Sequence, residues 1–86
     1  MVEKIVKVNN ESGIHARPAA SVVAFVKNYK GTVEVMNNGK KGNLKSIISI
    51  MSLGMRKGSE ITLMVDGENE EKFIEELANF IETLEG

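Results

Sequence analysis

Residues 13–20, which read GIHARPAA, hold the only histidine and the only proline of this 86-residue chain. His15 precedes Pro18 by three positions, with Arg17 between them and small alanines around them. An imidazole can act as a nucleophile, and a neighbouring guanidinium can hold the oxygens of a phosphate or a carboxylate. The stretch therefore points to a histidine that acts on an anionic group.

The residues after His15 predict the start of a helix. Apolar residues follow helical spacing from Ala16 to about Asn28, and a run of turn-forming residues precedes them. The leading N–H groups of a helix have no carbonyl partner within it, and they lie at the positive end of its dipole. Pro18 suits the first turn, where an N–H would have no internal acceptor. Ala16, Arg17 and Pro18 are therefore predicted to form an anion-binding helix start.

Two interpretations of His15 remain open on these grounds. In one, its ring nitrogen attacks a phosphoryl group and becomes a covalent phosphohistidine, while Arg17 and the helix amides hold the phosphoryl oxygens. In the other, the histidine only caps the helix. A zinc site is disfavoured because the chain has one histidine and no cysteine. A serine hydrolase is disfavoured because no Gly-x-Ser-x-Gly motif is present.

Composition predicts one folded domain over residues 1–86, since 42% of the residues are hydrophobic and 27% are charged. A net charge of −1 argues against direct nucleic-acid binding. The longest uncharged run, residues 46–55, is too short to span a bilayer, and no signal segment follows Met1. We therefore expect a cytoplasmic protein that does not enter a membrane.

Charge is distributed unevenly along the chain. Residues 1–58 carry ten Lys and Arg against three Glu, whereas residues 59–86 carry one Lys against nine acids. Most of the acids are expected to solvate a face of the last helix. The basic segment contains His15, which favours an anionic substrate or an acidic protein partner.

The hydrophobic pattern predicts the element order β-α-β-β-α-β-α. Alternating residues mark strands, Asn38-Gly39 marks a hairpin turn, and apolar residues at helical spacing mark three helices. Asp66-Gly67 is expected to end the last strand in a turn. We therefore predict an α+β fold, an open-faced β-sandwich in which three helices pack on one face of a four-stranded antiparallel sheet.

The second helix, predicted over residues 47–53, has too many apolar residues for one buried face. Ser46 is expected to be its N-cap, and Gly54 is expected to end it. Ile50 and Leu53 are expected to face the core, which leaves a second apolar set exposed as a docking surface beside His15: Ile47, Ile48 and Met51, with Ala20 of the first helix.

Two segments, GIHARPAA and NLKSIISIMSLGMRKGSEITL, resemble the histidine-containing phosphocarrier (HPr) family of the bacterial phosphoenolpyruvate:sugar phosphotransferase system. The resemblance covers essentially the whole chain. It implies that His15 accepts a phosphoryl group on Nδ1 from enzyme I and passes it to enzyme IIA domains. It also implies that Arg17 and the helix start stabilise the phosphorylated form, without a metal or an organic cofactor. Such a carrier is not an enzyme in itself, and we expect it to be a monomer.

The same resemblance gives Ser46 a regulatory role. It implies phosphorylation of Ser46 by the ATP-dependent HPr kinase/phosphorylase, and binding of the phosphoserine form to catabolite control protein A in carbon catabolite repression. A phosphate there would add about −1.5 to −2 charges at a helix N-terminus.

Two alternatives within this resemblance remain. The first is the nitrogen-branch phosphocarrier paralogue, which regulates rather than transports, and against which the LKSI motif around Ser46 argues. The second is a binding module regulated through Ser46 alone, as in the catabolite-repression paralogue that lacks the active histidine. The presence of His15 with Arg17 argues against this second alternative.

Overall fold

A computed structural model describes residues 1–84 of the chain. The last two residues of the predicted 1–86 domain lie outside the described residues. In chain order the elements are β1 (Val2–Lys7), α1 (Ala16–Val26), β2 (Gly31–Asn37), β3 (Lys40–Asn43), α2 (Ile47–Ser52), β4 (Glu60–Gly67) and α3 (Glu70–Glu82). This is the order that the sequence predicts.

The four strands form one antiparallel sheet in the order β1-β4-β2-β3. β4 lies between β1 and β2, so that Leu63 pairs with Lys4 on one side and with Val35 on the other. Alternate side chains of β4 point to the helices, and Ile61, Leu63 and Val65 are fully buried there. The predicted fold class is confirmed.

The three helices cover one face of the sheet and close a single hydrophobic core over it. α3 contacts β1 and β4, while α1 packs against α2 and α3. The largest fully buried side chains come from all these layers: Val6, Val22, Val26, Val33, Leu44, Ile50, Ile61, Leu63, Leu77 and Ile81. The position of α1, and thus of His15 before it, is fixed by this shared core.

A run of stacked aromatic rings fills the space between α1 and α3. Phe25 stacks on Phe80 with ring centroids 4.5 Å apart, and Tyr29 stacks on Phe73 at 4.1 Å. Offset-stacked rings contribute dispersion beyond the area that they bury. These contacts hold the C-terminal end of α1 and the residues that follow it against α3.

The hairpin between β2 and β3 forms where the sequence predicts it. Asn38 and Gly39 both have positive φ, at 52° and 80°, which is the backbone of a type I′ turn. Asn37 pairs directly with Lys40 across this turn. The register of β3, the short edge strand below α2, is therefore set by two adjacent residues.

The end of β4 differs from the prediction. Asp66 and Gly67 still belong to the strand, and the turn lies one residue pair later, at Glu68 and Asn69. Gly67 pairs with Gly31 of β2, and a Cβ at Gly67 would lie 2.9 Å from the Gly31 Cα. Gly67 therefore serves close approach of two backbones, and Asn69 supplies the left-handed residue with a φ of 51°.

Core burial predicts a clear contrast between two β-sheet substitutions. Leu63→Ala, at a fully buried position, is expected to lower the free energy of unfolding by about 2–5 kcal/mol because it leaves a cavity. Ile5→Ala, on the opposite face with 66% of its surface exposed, is expected to cost less than about 1 kcal/mol. Urea unfolding of both variants measures the difference, and equal losses would contradict the placement of the core.

Candidate functional site

His15 is the N-cap residue of α1, at the point where the β1–α1 loop becomes helical. Its backbone is extended, with φ −104° and ψ −159°, and its carbonyl accepts the first helical hydrogen bond, from Ala19 N at 2.8 Å. The residue is exposed at the surface. The prediction that His15 stands at this loop–helix boundary is confirmed, whereas its chemical role stays a prediction.

The first turn of α1 presents two N–H groups that have no acceptor in the helix, those of Ala16 and Arg17. Pro18 comes next and has no N–H, and its ring is buried against the core. Ala16 and Arg17 are exposed beside His15. The arrangement gives an open surface with a partial positive charge from the helix dipole and a full positive charge from the guanidinium.

The β1–α1 loop is bent into a tight turn by a buried asparagine. Asn10 Nδ2 donates a hydrogen bond to the Gly13 carbonyl, and Gly13 N donates back to the Asn10 carbonyl at 3.0 Å. Gly13 has a φ of +69°, a conformation that other residues adopt at a cost. This reciprocal pair sets the direction in which the chain enters Ile14 and His15.

The loop between α2 and β4 supports the His15 loop from behind. Ile14 N donates to the Met55 carbonyl at 3.0 Å, and the missing side chain of Gly13 lets it lie against the backbone of Met55 and Arg56. On the surface, Lys57 Nζ lies 2.7 Å from Glu11 Oε1. The hydrogen bond from Lys57 lowers the pKa of the Glu11 carboxyl.

Sequence reasoning missed these supporting residues. Asn10 is one of several turn-forming residues in a polar loop, and nothing local in the sequence distinguishes it from its neighbours. Met55 and Arg56 lie about 40 positions further along the chain than Gly13, a separation that periodicity does not address.

Ser46 caps α2 as predicted. Its backbone is extended, and its Oγ accepts a hydrogen bond from Ser49 N at 3.2 Å. The neighbouring Lys45 points elsewhere, and its Nζ donates to the carbonyls of Tyr29 and Gly31 at 2.7 and 3.0 Å. The Ser46 hydroxyl is half-buried at the start of a helix that begins at Ile47.

The exposure predicted for α2 is confirmed. Ile48 is 83% exposed, Met51 46% and Ile47 39%, while Ile50 and Leu53 are buried in the core. Ala20 of α1, the helix that packs against α2, is also exposed. An uncovered apolar group of this kind on a small domain is typical of a surface that meets a partner.

Other kinds of site find no support in residues 1–84. No group of three His, Cys, Asp or Glu in this range is placed to hold a metal ion. No helix in the same range has the length and apolar character needed to cross a membrane.

Comparison with known proteins identifies relatives over nearly the full chain. The sequence model of the family described as "PTS HPr component phosphorylation site" matches residues 2–83. The chain is 39% identical to the phosphocarrier protein HPr of Buchnera aphidicola subsp. Schizaphis graminum, over 99% of this chain and 100% of that protein. It is 43% identical to the HPr-like protein Crh of Halalkalibacterium halodurans, over 95% and 98% of the two chains.

A solved structure shares the fold. The crystal structure of HPr-C-His from Thermoanaerobacter tengcongensis superimposes with a TM-score of 0.90 and 38% sequence identity, covering 96% of this chain and 93% of that chain.

Two glycines test how the His15 loop is supported. Gly13→Ala and Gly54→Ala both place an alanine at positive φ, +69° and +62°, so both incur the left-handed penalty. A Cβ at Gly13 would also lie 2.9 Å from the Arg56 Cα, whereas a Cβ at Gly54 meets nothing within 4 Å. Urea unfolding is expected to show an additional loss of about 1–3 kcal/mol for Gly13→Ala. Equal losses would mean that the β1–α1 loop and the α2–β4 loop are not in close contact at Gly13.

Proposed function

Because the chain belongs to the HPr phosphocarrier family of the phosphotransferase system, we propose that His15 accepts a phosphoryl group from enzyme I and passes it to enzyme IIA domains. The observation that carries the proposal is the position of His15, exposed at the N-cap of α1 with Arg17 two residues further on. The protein acts in the cytoplasm as a covalent intermediate, and it is not a catalyst by itself.

The chemistry is a displacement at phosphorus. The lone pair of the imidazole nitrogen, Nδ1 by family resemblance, attacks the phosphoryl group of the donor; the new P–N bond forms as the donor's bond to phosphorus breaks and its electron pair leaves with the donor. The amides of Ala16 and Arg17 have no acceptor within α1, and the Arg17 side chain is exposed two residues after His15, so these groups are proposed to hold the phosphoryl oxygens. They would reduce the charge repulsion that accompanies transfer.

The openness of this surface suits a carrier. A group that binds phosphate equally well in the ground state and in the transition state would hold the phosphoryl group without speeding its departure. Here Pro18 removes one of the leading amides, and Arg17 is the one arginine of the first turn of α1. The proposed site therefore stabilises phosphohistidine modestly, so that the next acceptor can take the group.

Docking is proposed to use the exposed side chains of α2. Ile47, Ile48 and Met51 form an apolar surface on the helix that packs against α1, and Arg17 and Arg56 are exposed basic residues in the adjoining elements. A partner with an apolar centre and an acidic rim fits such a surface, because buried apolar contacts supply affinity and opposite charges steer the encounter.

Regulation is proposed to act at Ser46. HPr kinase/phosphorylase would phosphorylate its hydroxyl, and the phosphate would lie at the N-cap of the docking helix, directly before Ile47. The added negative charge repels an acidic partner such as enzyme I. The phosphoserine form would then bind catabolite control protein A instead and act in carbon catabolite repression.

A second candidate is a binding module that is regulated through Ser46 alone and does not accept a phosphoryl group on histidine. The 43% identity to an HPr-like Crh protein supports it. The combination of His15 and Arg17 at the start of α1 supports the carrier instead, and acceptance of a phosphoryl group from enzyme I separates the two candidates.

His15→Ala is expected to abolish phosphoryl acceptance, because no other nucleophile replaces the imidazole. Arg17→Ala is expected to slow it about ten- to hundredfold, the effect of losing one charged contact to the phosphoryl oxygens. The measurement is the rate of acid-labile labelling with enzyme I and labelled phosphoenolpyruvate. Lys27→Ala, exposed at the other end of α1, is the control and should transfer at the rate of the unchanged protein.

Two results of that experiment would contradict the proposal. Acid-labile phosphate on the His15→Ala variant would place the acceptor elsewhere. Failure of the unchanged protein to accept phosphate would favour the second candidate. Circular dichroism of each variant confirms that an effect on rate is not a loss of fold.

Incubation with HPr kinase/phosphorylase and ATP is expected to give acid-stable phosphate at Ser46, the half-buried N-cap residue of α2, because the family resemblance gives this serine as the target of the kinase. Ser46→Ala should remove the label, and Ser52→Ala, an exposed serine of the same helix, should keep it. Mass spectrometry assigns the position. Label that persists in Ser46→Ala would show that the kinase uses another residue.

A further inference from the structure

α2 is too short to hold its own shape. It has six helical residues, fewer than two turns, and isolated helices of this length are not stable in water. Its buried residues Ile50 and Leu53 anchor one side to the core. They do not by themselves set the rotation of the helix about its axis, because apolar contacts are not directional. Hydrogen bonds from the β2–β3 hairpin are directional and can set this rotation.

Ser49 makes two directional contacts, one within α2 and one with the hairpin. Its backbone N donates to the Ser46 hydroxyl at 3.2 Å, which caps the helix. Its own Oγ accepts a hydrogen bond from the backbone N of Asn43 at 2.8 Å. Asn43 is the last residue of β3, the edge strand of the sheet, so this N–H is one that the neighbouring strand does not use.

The other end of α2 is tied to the same hairpin. Asn37, which is buried, donates from Nδ2 to the carbonyl of Leu53 at 2.9 Å. Gly42 lets the helix lie directly on β3, since a Cβ there would come within 2.6 Å of Leu53 Cδ1 and 3.1 Å of Ser49 Oγ. The hairpin therefore forms hydrogen bonds with the α2 segment at two points, Ser49 and Leu53.

We infer that Ser49 is a positioning residue for partner docking, whose hydroxyl bond to Asn43 fixes the rotation of α2 and so the direction in which Ile48 and Met51 face. Ile48 and Met51 lie three positions apart and share one side of the helix. Each residue turns a helix by about 100°, so even a partial rotation of α2 would move both side chains relative to His15. The inference rests on the proposed docking role of α2.

The test compares Ser49→Ala with Ser52→Ala. Both remove one hydroxyl from α2, but the Ser52 hydroxyl donates only within the helix, to the Ser49 carbonyl at 2.8 Å. Amide hydrogen exchange is expected to be about tenfold faster at Asn43 and along α2 in Ser49→Ala, with Leu63 in the sheet unchanged, because local opening is measured separately from global unfolding. Ser52→Ala should change these rates by less than about threefold.

The kinetics of phosphoryl transfer then distinguish a role of Ser49 in docking from a purely structural role. With phosphorylated enzyme I as donor, Ser49→Ala is expected to raise the KM for this protein about three- to tenfold, because the variant lacks the hydrogen bond that orients α2. The kcat is expected to stay within about twofold. Ser49→Thr, which keeps a hydroxyl, should restore most of the affinity. Ser52→Ala should leave both constants unchanged.

Each outcome decides a different point. If Ser49→Ala exchanges at Asn43 like Ser52→Ala, the hydroxyl does not fix the helix and the inference is wrong. If exchange rises while KM stays the same, the bond is structural and its role in docking is wrong. If the unchanged protein accepts no phosphate at all, the proposed function fails, and the docking role of Ser49 fails with it.

Discussion

The backbone geometry at His15 is the constraint on which the rest of the structure depends. His15 must be extended for its carbonyl to begin α1, while its side chain stays at the surface before the leading amides of that helix. Because α1 is fixed in the shared core, a displacement of the loop would move the imidazole relative to those amides. The reciprocal bonds of Asn10 with Gly13, and the bond from Ile14 to Met55, prevent that displacement.

The sheet contributes to function by position rather than by chemistry. Its buried face carries the core, and its two hairpin strands hold α2 through Asn37, Gly42 and Asn43. α1 and α2 pack together above it, so the proposed phosphoryl acceptor and the proposed docking residues belong to two helices that contact each other. One small domain thereby joins a reactive side chain to a surface that a protein partner can recognise.

The sequence predicts much of this because several of its signals are local. Period-two and helical spacing give the elements, Asn38-Gly39 gives the hairpin, and His15 with Pro18 marks the helix start. The predicted end of β4 is wrong because Asp-Gly is a common turn sequence, whereas Gly67 here allows close approach to Gly31 of the neighbouring strand. The contacts that support the His15 loop could not be predicted, since they join segments that no short-range sequence pattern relates. Chemical roles at the site came from resemblance as much as from residue types.

Amide chemical shifts of the phosphorylated protein test whether the start of α1 holds the phosphoryl group on His15. After phosphorylation by enzyme I, two-dimensional NMR of uniformly ¹⁵N-labelled protein compares the backbone N–H signals of the two forms. If the helix start holds the phosphoryl oxygens, the proton signals of Ala16 and Arg17, the amides that begin α1, shift downfield, and the signal of Leu63 in the sheet is unchanged. Unchanged Ala16 and Arg17 signals in a protein that carries phosphohistidine would show that the helix start does not hold the phosphoryl group.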